Sequence, residues 1–199
     1  MNTHRKLIRR IAIAAAAGVA SLVLAACGNG GNGTGSTEMG STPSATASVQ
    51  AGDHNAADVS FAKAMIQHHR QAVDMAELAD TRAASSETKD LAVKIKAAQD
   101  PEIKTMSGWL TAWGEEVPPE MEGHDMSTGM PGMMSMGDMD KLEKATGAEF
   151  DKLFAEMMIK HHEGAIEMAK TEKSDGKYGP ALQLADAVIV AQTAEIEQM

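Results

Sequence analysis

The chain has 199 residues, 43% hydrophobic and 3% aromatic, which fits one domain of ordinary size and leaves too few Phe, Trp and Tyr for an all-β sandwich or barrel. Its net charge of −10 argues against nucleic acid as a partner. A single Cys rules out an internal disulfide, a Cys-rich zinc site and a Cys-held iron–sulfur cluster, and leaves 16 Met and 7 His as the chemistry in excess.

Residues 1–26 read as an address. Arg5, Lys6, Arg9 and Arg10 precede an apolar run from Ile11 to Ala26. The run is shorter than the roughly 20 residues of a membrane span, and with its small-residue end it matches a secretory signal peptide. Leu24-Ala25-Ala26-Cys27 resembles the lipobox of bacterial lipoproteins. That resemblance implies cleavage before Cys27, acylation of Cys27 by palmitate-type chains, and an extracytoplasmic protein anchored to the cell membrane by lipid. Each buried CH₂ of such a chain contributes about 0.8 kcal/mol. The mature chain would carry 14 basic and 28 acidic residues, net −14, a surface that attracts cations. After Cys27, residues 27–52 are rich in Gly, Ser and Thr and read as a flexible tether, spanning roughly 25–30 Å r.m.s..

Residues 53–199 are one unit written twice. At an offset of 93, Phe61 meets Phe154, Met65 meets Met158, His68-His69 meets His161-His162, and Met75 meets Met168. The register continues without a gap through Gln99 on Gln192, Glu102-Ile103 on Glu195-Ile196 and Met106 on Met199. This is a duplication. Each copy reads as two helices. In the first, Phe61, Met65, His68, Ala72 and Met75 share a stripe, and Asp53 or Asn55 caps the start. Ser86 is the expected cap of the second helix, with Leu91, Ile95, Ala98 and Met106 inward and a kink or break at Pro101. Trp109 and Trp113 near its end read as core or subunit-contact residues. The third helix is expected to start at a capping box, Thr146-Gly147-Ala148-Glu149, and the fourth after Gly179, with Pro180 in first position. The expected fold is therefore all-α, a ferritin-like four-helix bundle from two duplicated helical hairpins. Pairing of two chains into a homodimer would bury the same stripes.

Each copy carries Met-x-x-His-His, with Met65 one turn from His68 and His69 and Met158 one turn from His161 and His162. Two readings are open. The rings are neutral core histidines bonded through one N–H, or their lone pairs bind a metal. Imidazole suits zinc, copper, iron and nickel, whereas thioether sulfur selects copper, above all Cu(I). Zinc or another divalent metal would leave the Met unused. The Glu-x-x-His of a di-iron site is absent, because Met stands three residues before His68 and His161. The linker 121–139 holds seven Met, namely Met121, Met126, Met130, Met133, Met134, Met136 and Met139, together with His124. Its Gly and Pro argue against a stable helix, so these thioethers read as exposed: a second soft-metal site, or a pliable docking connector.

Phe61 to Ala76 resembles the signature of the domain-of-unknown-function 305 family, and Phe154 to Ala169 resembles it again. Gln99 to Met106 and Gln192 to Met199 are similar to the family's second-helix ending. The resemblance implies a ferritin-like bundle, mostly secreted or lipid-anchored, with copper-binding members. It implies Met65, His68, His69, Met75, Met158, His161, His162 and Met168 as ligands. The expected function is copper binding for tolerance, storage or delivery to an accepting protein, without enzymatic activity. A protein-interaction module with a Met-rich docking loop and a metal-dependent oxidase are the alternatives.

Overall fold

The structure, a computed structural model, describes residues 52–120 and 129–199. The signal peptide, Cys27, nearly all of the tether, and Met121, His124 and Met126 lie outside the described residues. Among the described residues there are five helices and no strand: α1 (Ala56–Arg82), α2 (Ser86–Trp113), α3 (Met136–Lys144), α4 (Ala148–Asp175) and α5 (Gly179–Ile196). None of them is long and apolar enough to cross a membrane.

The all-α expectation holds, with one helix more than expected. α1 packs along α2, α4 along α5, and the two hairpins meet chiefly through α1 and α4. Asn55 caps α1: its side chain accepts from the Ala57 and Asp58 amides, and Asp58 returns the bond to the Asn55 amide. The cap of α2 is Ser85, one residue before the expected Ser86. Gly114 closes α2 with φ +74°, the left-handed conformation that glycine adopts without a Cβ clash. Pro101 does not break α2. It lies on the exposed face, so its ring and missing N–H meet solvent, while Ile95 and Met106 are buried on either side of it. Ala98 also faces out rather than in. The Thr146–Glu149 capping box does not form. Gly147 is the N-cap, with φ +67°, and its N–H donates to the Arg82 carbonyl at 2.8 Å, so α4 begins against the end of α1. Pro180 stands in the first turn of α5, one position after Gly179. α5 has 18 residues against 28 in α2.

A reciprocal brace ties the hairpins together. The Asp58 carboxylate accepts from the Lys177 and Tyr178 amides at 2.9 and 2.8 Å, at the α4–α5 turn. Asp151, at offset 93, accepts from the Ala84 and Ser85 amides at 3.1 and 3.0 Å, at the α1–α2 turn. Each copy therefore satisfies the orphan N–H groups ahead of a helix in the other copy, as a pseudo-two-fold axis requires.

Two apolar clusters form the core. One holds Met75, Ala79, Leu91, Ile95, Leu142, Phe150, Phe154 and Met158; the other holds Phe61, Met65, Ile66, Met106, Trp109, Leu110, Tyr178 and Val188. Full burial of such a Leu, Ile, Phe or Met side chain contributes about 1.5–3 kcal/mol. Trp109 packs edge-on to Tyr178, with ring centroids 5.5 Å apart, and is a core residue, while Trp113 is half-buried, stacks on His54 and packs against the same cluster.

The Met-rich linker differs from its reading as an exposed, non-helical connector. Met136 and Met139 belong to α3, whose start Ser135 caps through the Asp138 amide. Met133 and Met134 are buried, and Met139 packs against the first cluster. Apolar side chains beside an open core edge are driven into it, which accounts for the burial of Met133 and Met134.

Candidate metal centre

Along α1 the second cluster ends at Ile66 and the first begins at Ala72; along α4 the first ends at Met158 and the second begins at Ala165. His68, His69, His161 and His162 fill the gap between the clusters, all four at 0% exposure. The rings of His68 and His161 are in contact across the pseudo-two-fold, with centroids 3.7 Å apart and planes tilted by 41°. Met65 and Met168 pack in or against the cluster on one side of this layer, and Met75 and Met158 in the cluster on the other. The structure thus brings the eight bundle residues into one interior layer and its two flanks.

Each ring can be followed nitrogen by nitrogen. His69 Nε2 bonds Glu102 Oε2 at 2.6 Å, and His162 Nε2 bonds Glu195 Oε2 at 2.7 Å. The acceptors are carboxylates, so Nε2 donates, and in the neutral ring the lone pair is then on Nδ1. His68 Nε2 donates to the Pro131 carbonyl at 3.1 Å. The Nδ1 atoms of all four rings, and Nε2 of His161, have no hydrogen-bond partner. Burial holds the pKa of His68 down to about 3, with the neighbouring His69 adding to the effect. Burial, followed by the charge of His68, holds His161 well below the ordinary value. Both rings are neutral at pH 7, the form that donates a lone pair to a metal.

The Glu102 and Glu195 contacts are absent from the sequence-derived site. The signal for them was present in the duplication, which sets Glu102 over Glu195 at the offset that sets His69 over His162. A separation of 33 residues says nothing about contact until the turn of each hairpin is known.

The linker closes the layer. The Pro131 carbonyl that bonds His68 lies directly over Gly164, where a Cβ would stand 2.1 Å from the Pro131 oxygen. Gly132, at φ +76°, rests on the backbone of α4 at Lys160, His161 and Gly164. Gln71 grips the next turn of chain, donating to the Met134 carbonyl at 2.9 Å and accepting from its amide at 2.7 Å. Main chain therefore fills the space that the missing side chain of Gly164 leaves. Met130 is half-buried and Met136 exposed, so the described linker Met differ in exposure.

Among the described residues, no three His, Cys, Asp or Glu side chains are grouped to hold a metal ion by themselves. A cation in this layer would need the thioethers as well as the rings. Unpartnered Nδ1 atoms in an apolar interior, flanked by four Met, fit a soft cation.

A duplicated helical hairpin that buries a histidine layer defines a class of small all-α proteins. The chain belongs to the family described as Domain of unknown function (DUF305), which matches residues 58–199. Its fold is similar to a DUF305 protein from Streptomyces coelicolor, with 32% identity, 71% of this chain and 88% of that one covered, and a TM-score of 0.63. A DUF305 fragment from Deinococcus radiodurans is 26% identical over 73% of this chain and 94% of that one, with a TM-score of 0.65. CopM in its Cu(II)-bound form is 40% identical over 71% of this chain and 91% of that one, with a TM-score of 0.61. No curated protein matches the chain.

Proposed function

We propose that this protein binds copper in the histidine layer and serves copper tolerance, storage or delivery outside the cytoplasm, held to the membrane by a lipid on Cys27. The observation that carries the metal reading is the set of four unpartnered Nδ1 atoms, repeated in both copies and sealed between two apolar clusters. A structural histidine satisfies its buried nitrogens, whereas His68, His69 and His162 satisfy one nitrogen only and His161 neither. His68, His69, His161 and His162 supply the nitrogen donors, and Met65, Met75, Met158 and Met168 the sulfur donors. Thioether donors favour Cu(I) over zinc, whose usual ligand sets are made from nitrogen, oxygen and thiolate. CopM, with Cu(II)-, Cu(I)- and Ag-bound structures, supports copper as the cargo. The buried neutral rings offer no exposed general base, so metal exchange rather than catalysis is the activity assigned. The lipobox-like Leu24–Cys27 and the acidic surface support the location and the cation preference.

Competition of the purified domain against a chromophoric Cu(I) chelator tests the reading. The protein is expected to take up at least one Cu(I). A variant with all four histidines replaced by Gln is expected to take up at least one fewer. Equal uptake by the two proteins overturns the site.

A further inference from the structure

We infer that Glu102 and Glu195 are positioning residues for the bound cation: each fixes its histidine proton on Nε2 and so turns a bare Nδ1 toward the metal. The inference rests on the proposed metal site and names residues in it that neither the histidine pairs nor the Met stripe disclosed.

Three observations carry it. The first is repetition: His69–Glu102 at 2.6 Å and His162–Glu195 at 2.7 Å recur at the same offset of 93 residues, on the same pair of elements in each hairpin. The second is choice of acceptor. A buried imidazole N–H needs only a neutral oxygen, and one turn earlier on the same helices stand Gln99 and Gln192. Both Gln are buried, each with its Oε1 unpartnered. The neutral acceptors are passed over and a carboxylate is used twice. Neither Glu has a Lys or Arg partner among the described ion pairs, so its negative charge is directed at the ring alone. The third is geometry. The two nitrogens of an imidazole lie on opposite sides of the ring, so a carboxylate on Nε2 leaves Nδ1 pointing away from it, where no partner is found.

A carboxylate–histidine–metal relay is a general device: the carboxylate fixes the tautomer, holds the ring and raises the basicity of the ligating nitrogen. Here it does one thing more. A cation in an apolar interior needs a compensating charge, and each carboxylate places one negative charge a single ring away. Glu102 and Glu195 have side chains 21% and 14% exposed, against 0% for their histidines, so the charge remains partly in water while its effect passes through the ring.

The test uses the full mature chain and two readouts. Long-range ¹H–¹⁵N spectra of the metal-free protein are expected to show His69 and His162 as Nε2–H tautomers. Glu102→Gln offers the ring both a donor and an acceptor, so His69 is expected to lose its single tautomer while His162 keeps it; Glu195→Gln gives the mirror result. By chelator competition, each variant is expected to bind Cu(I) about 10–100-fold more weakly at unchanged helix content. An Nδ1–H tautomer for either ring in the unaltered protein overturns the assignment, whether or not the variants fold. Variants with a lowered Tm and an unchanged Kd for Cu(I) overturn it as well, because they show a merely structural pair. If the four-histidine variant keeps its copper, the site reading fails, and the tautomers still decide the role of the carboxylates.

Discussion

The α1–α2 and α4–α5 hairpins are two copies of one sequence, and the places where they still agree differ in kind from the places where they have parted. They agree at the braces, Asp58 and Asp151, and at the His–Glu pairs. They part where the linker lies. Gln71 in the first copy is Gly164 in the second: one grips the strap through the Met134 backbone, the other gives it a seat by having no side chain. They part again where Ala79 becomes Glu172 beside Asp58. Symmetry therefore builds the frame and the donor set, and asymmetry closes the layer on one side. His68 has given Nε2 to the strap, whereas His161 keeps both nitrogens free.

The largest expected effect of this asymmetry is on pH dependence. Glu172 is buried, and burial, then the neighbouring Asp58 and the charge of Asp175, raise its pKa from 4.5 to about 8. Burial also works to raise Asp58, but the Tyr178 and Asn55 amides, the Glu172 carboxyl and the Lys177 amide outweigh it and hold Asp58 low. One proton is thus kept on Glu172 while Asp58 stays ionised. A carboxyl with a higher pKa folded than unfolded binds more protons in the folded state. Its contribution is complete below about pH 4.5 and is lost as pH rises through about 8. Relative to Glu172→Gln, the natural chain is expected to lose on the order of 3–5 kcal/mol of stability across that interval, since each tenfold difference in proton affinity between the folded and unfolded chain is worth about 1.4 kcal/mol. Urea unfolding of both proteins at pH 5 and pH 8.5 measures it. Parallel losses would show that the Ala79-to-Glu172 change carries no buried proton.

The braces come next, and here the copies should differ although their residues match. Asp58 is fully buried, and its bond to the Tyr178 amide lies in the interior, whereas Asp151 is half-buried and bonds the Ala84 amide in the open. Removing a buried acceptor strands its donors, while water replaces an exposed one. Asp58→Ala is expected to cost about 2–4 kcal/mol and Asp151→Ala about 0.5–1.5 kcal/mol in denaturant unfolding at pH 7. Equal losses would mean that water reaches both turns alike.

Much of this was legible beforehand because duplication doubles every signal. The Phe61 and Phe154 stripes, the paired histidines and the four bundle Met follow helical spacing, and all lie in the bundle interior except Met168, which is half-buried against the second cluster. What escaped was set by tertiary placement. Met133, Met134 and Met139 look like a soft-metal tail because their Gly and Pro neighbours hide any period, yet Met134 joins the first cluster, Met139 packs against it and Met133 is buried. The cap of α3 was readable, since Ser135 stands three residues before Asp138, but a nine-residue helix has little period to confirm it. Of the kink or break expected at Pro101, the break does not form, because propensity is a local preference and core packing on both sides of an exposed proline outweighs it.

An effect smaller than that of the buried brace tests the strap. In Gly164→Ala the new methyl would meet the Pro131 oxygen at 2.1 Å and the Gly132 Cα at 2.7 Å, both main-chain atoms that cannot rotate away. The segment must lift from α4, at a cost of about 1–3 kcal/mol for overpacking a filled site. Because Gln71 holds the same segment from the other copy, lifting it should also break the Gln71 bonds to Met134. Hydrogen exchange of the Met134 amide reports this directly: protection is expected to fall in Gly164→Ala and equally in Gln71→Ala. If Met134 stays protected in Gly164→Ala, the two diverged positions hold the linker independently, and the closure of the histidine layer is not a joint property of the two copies.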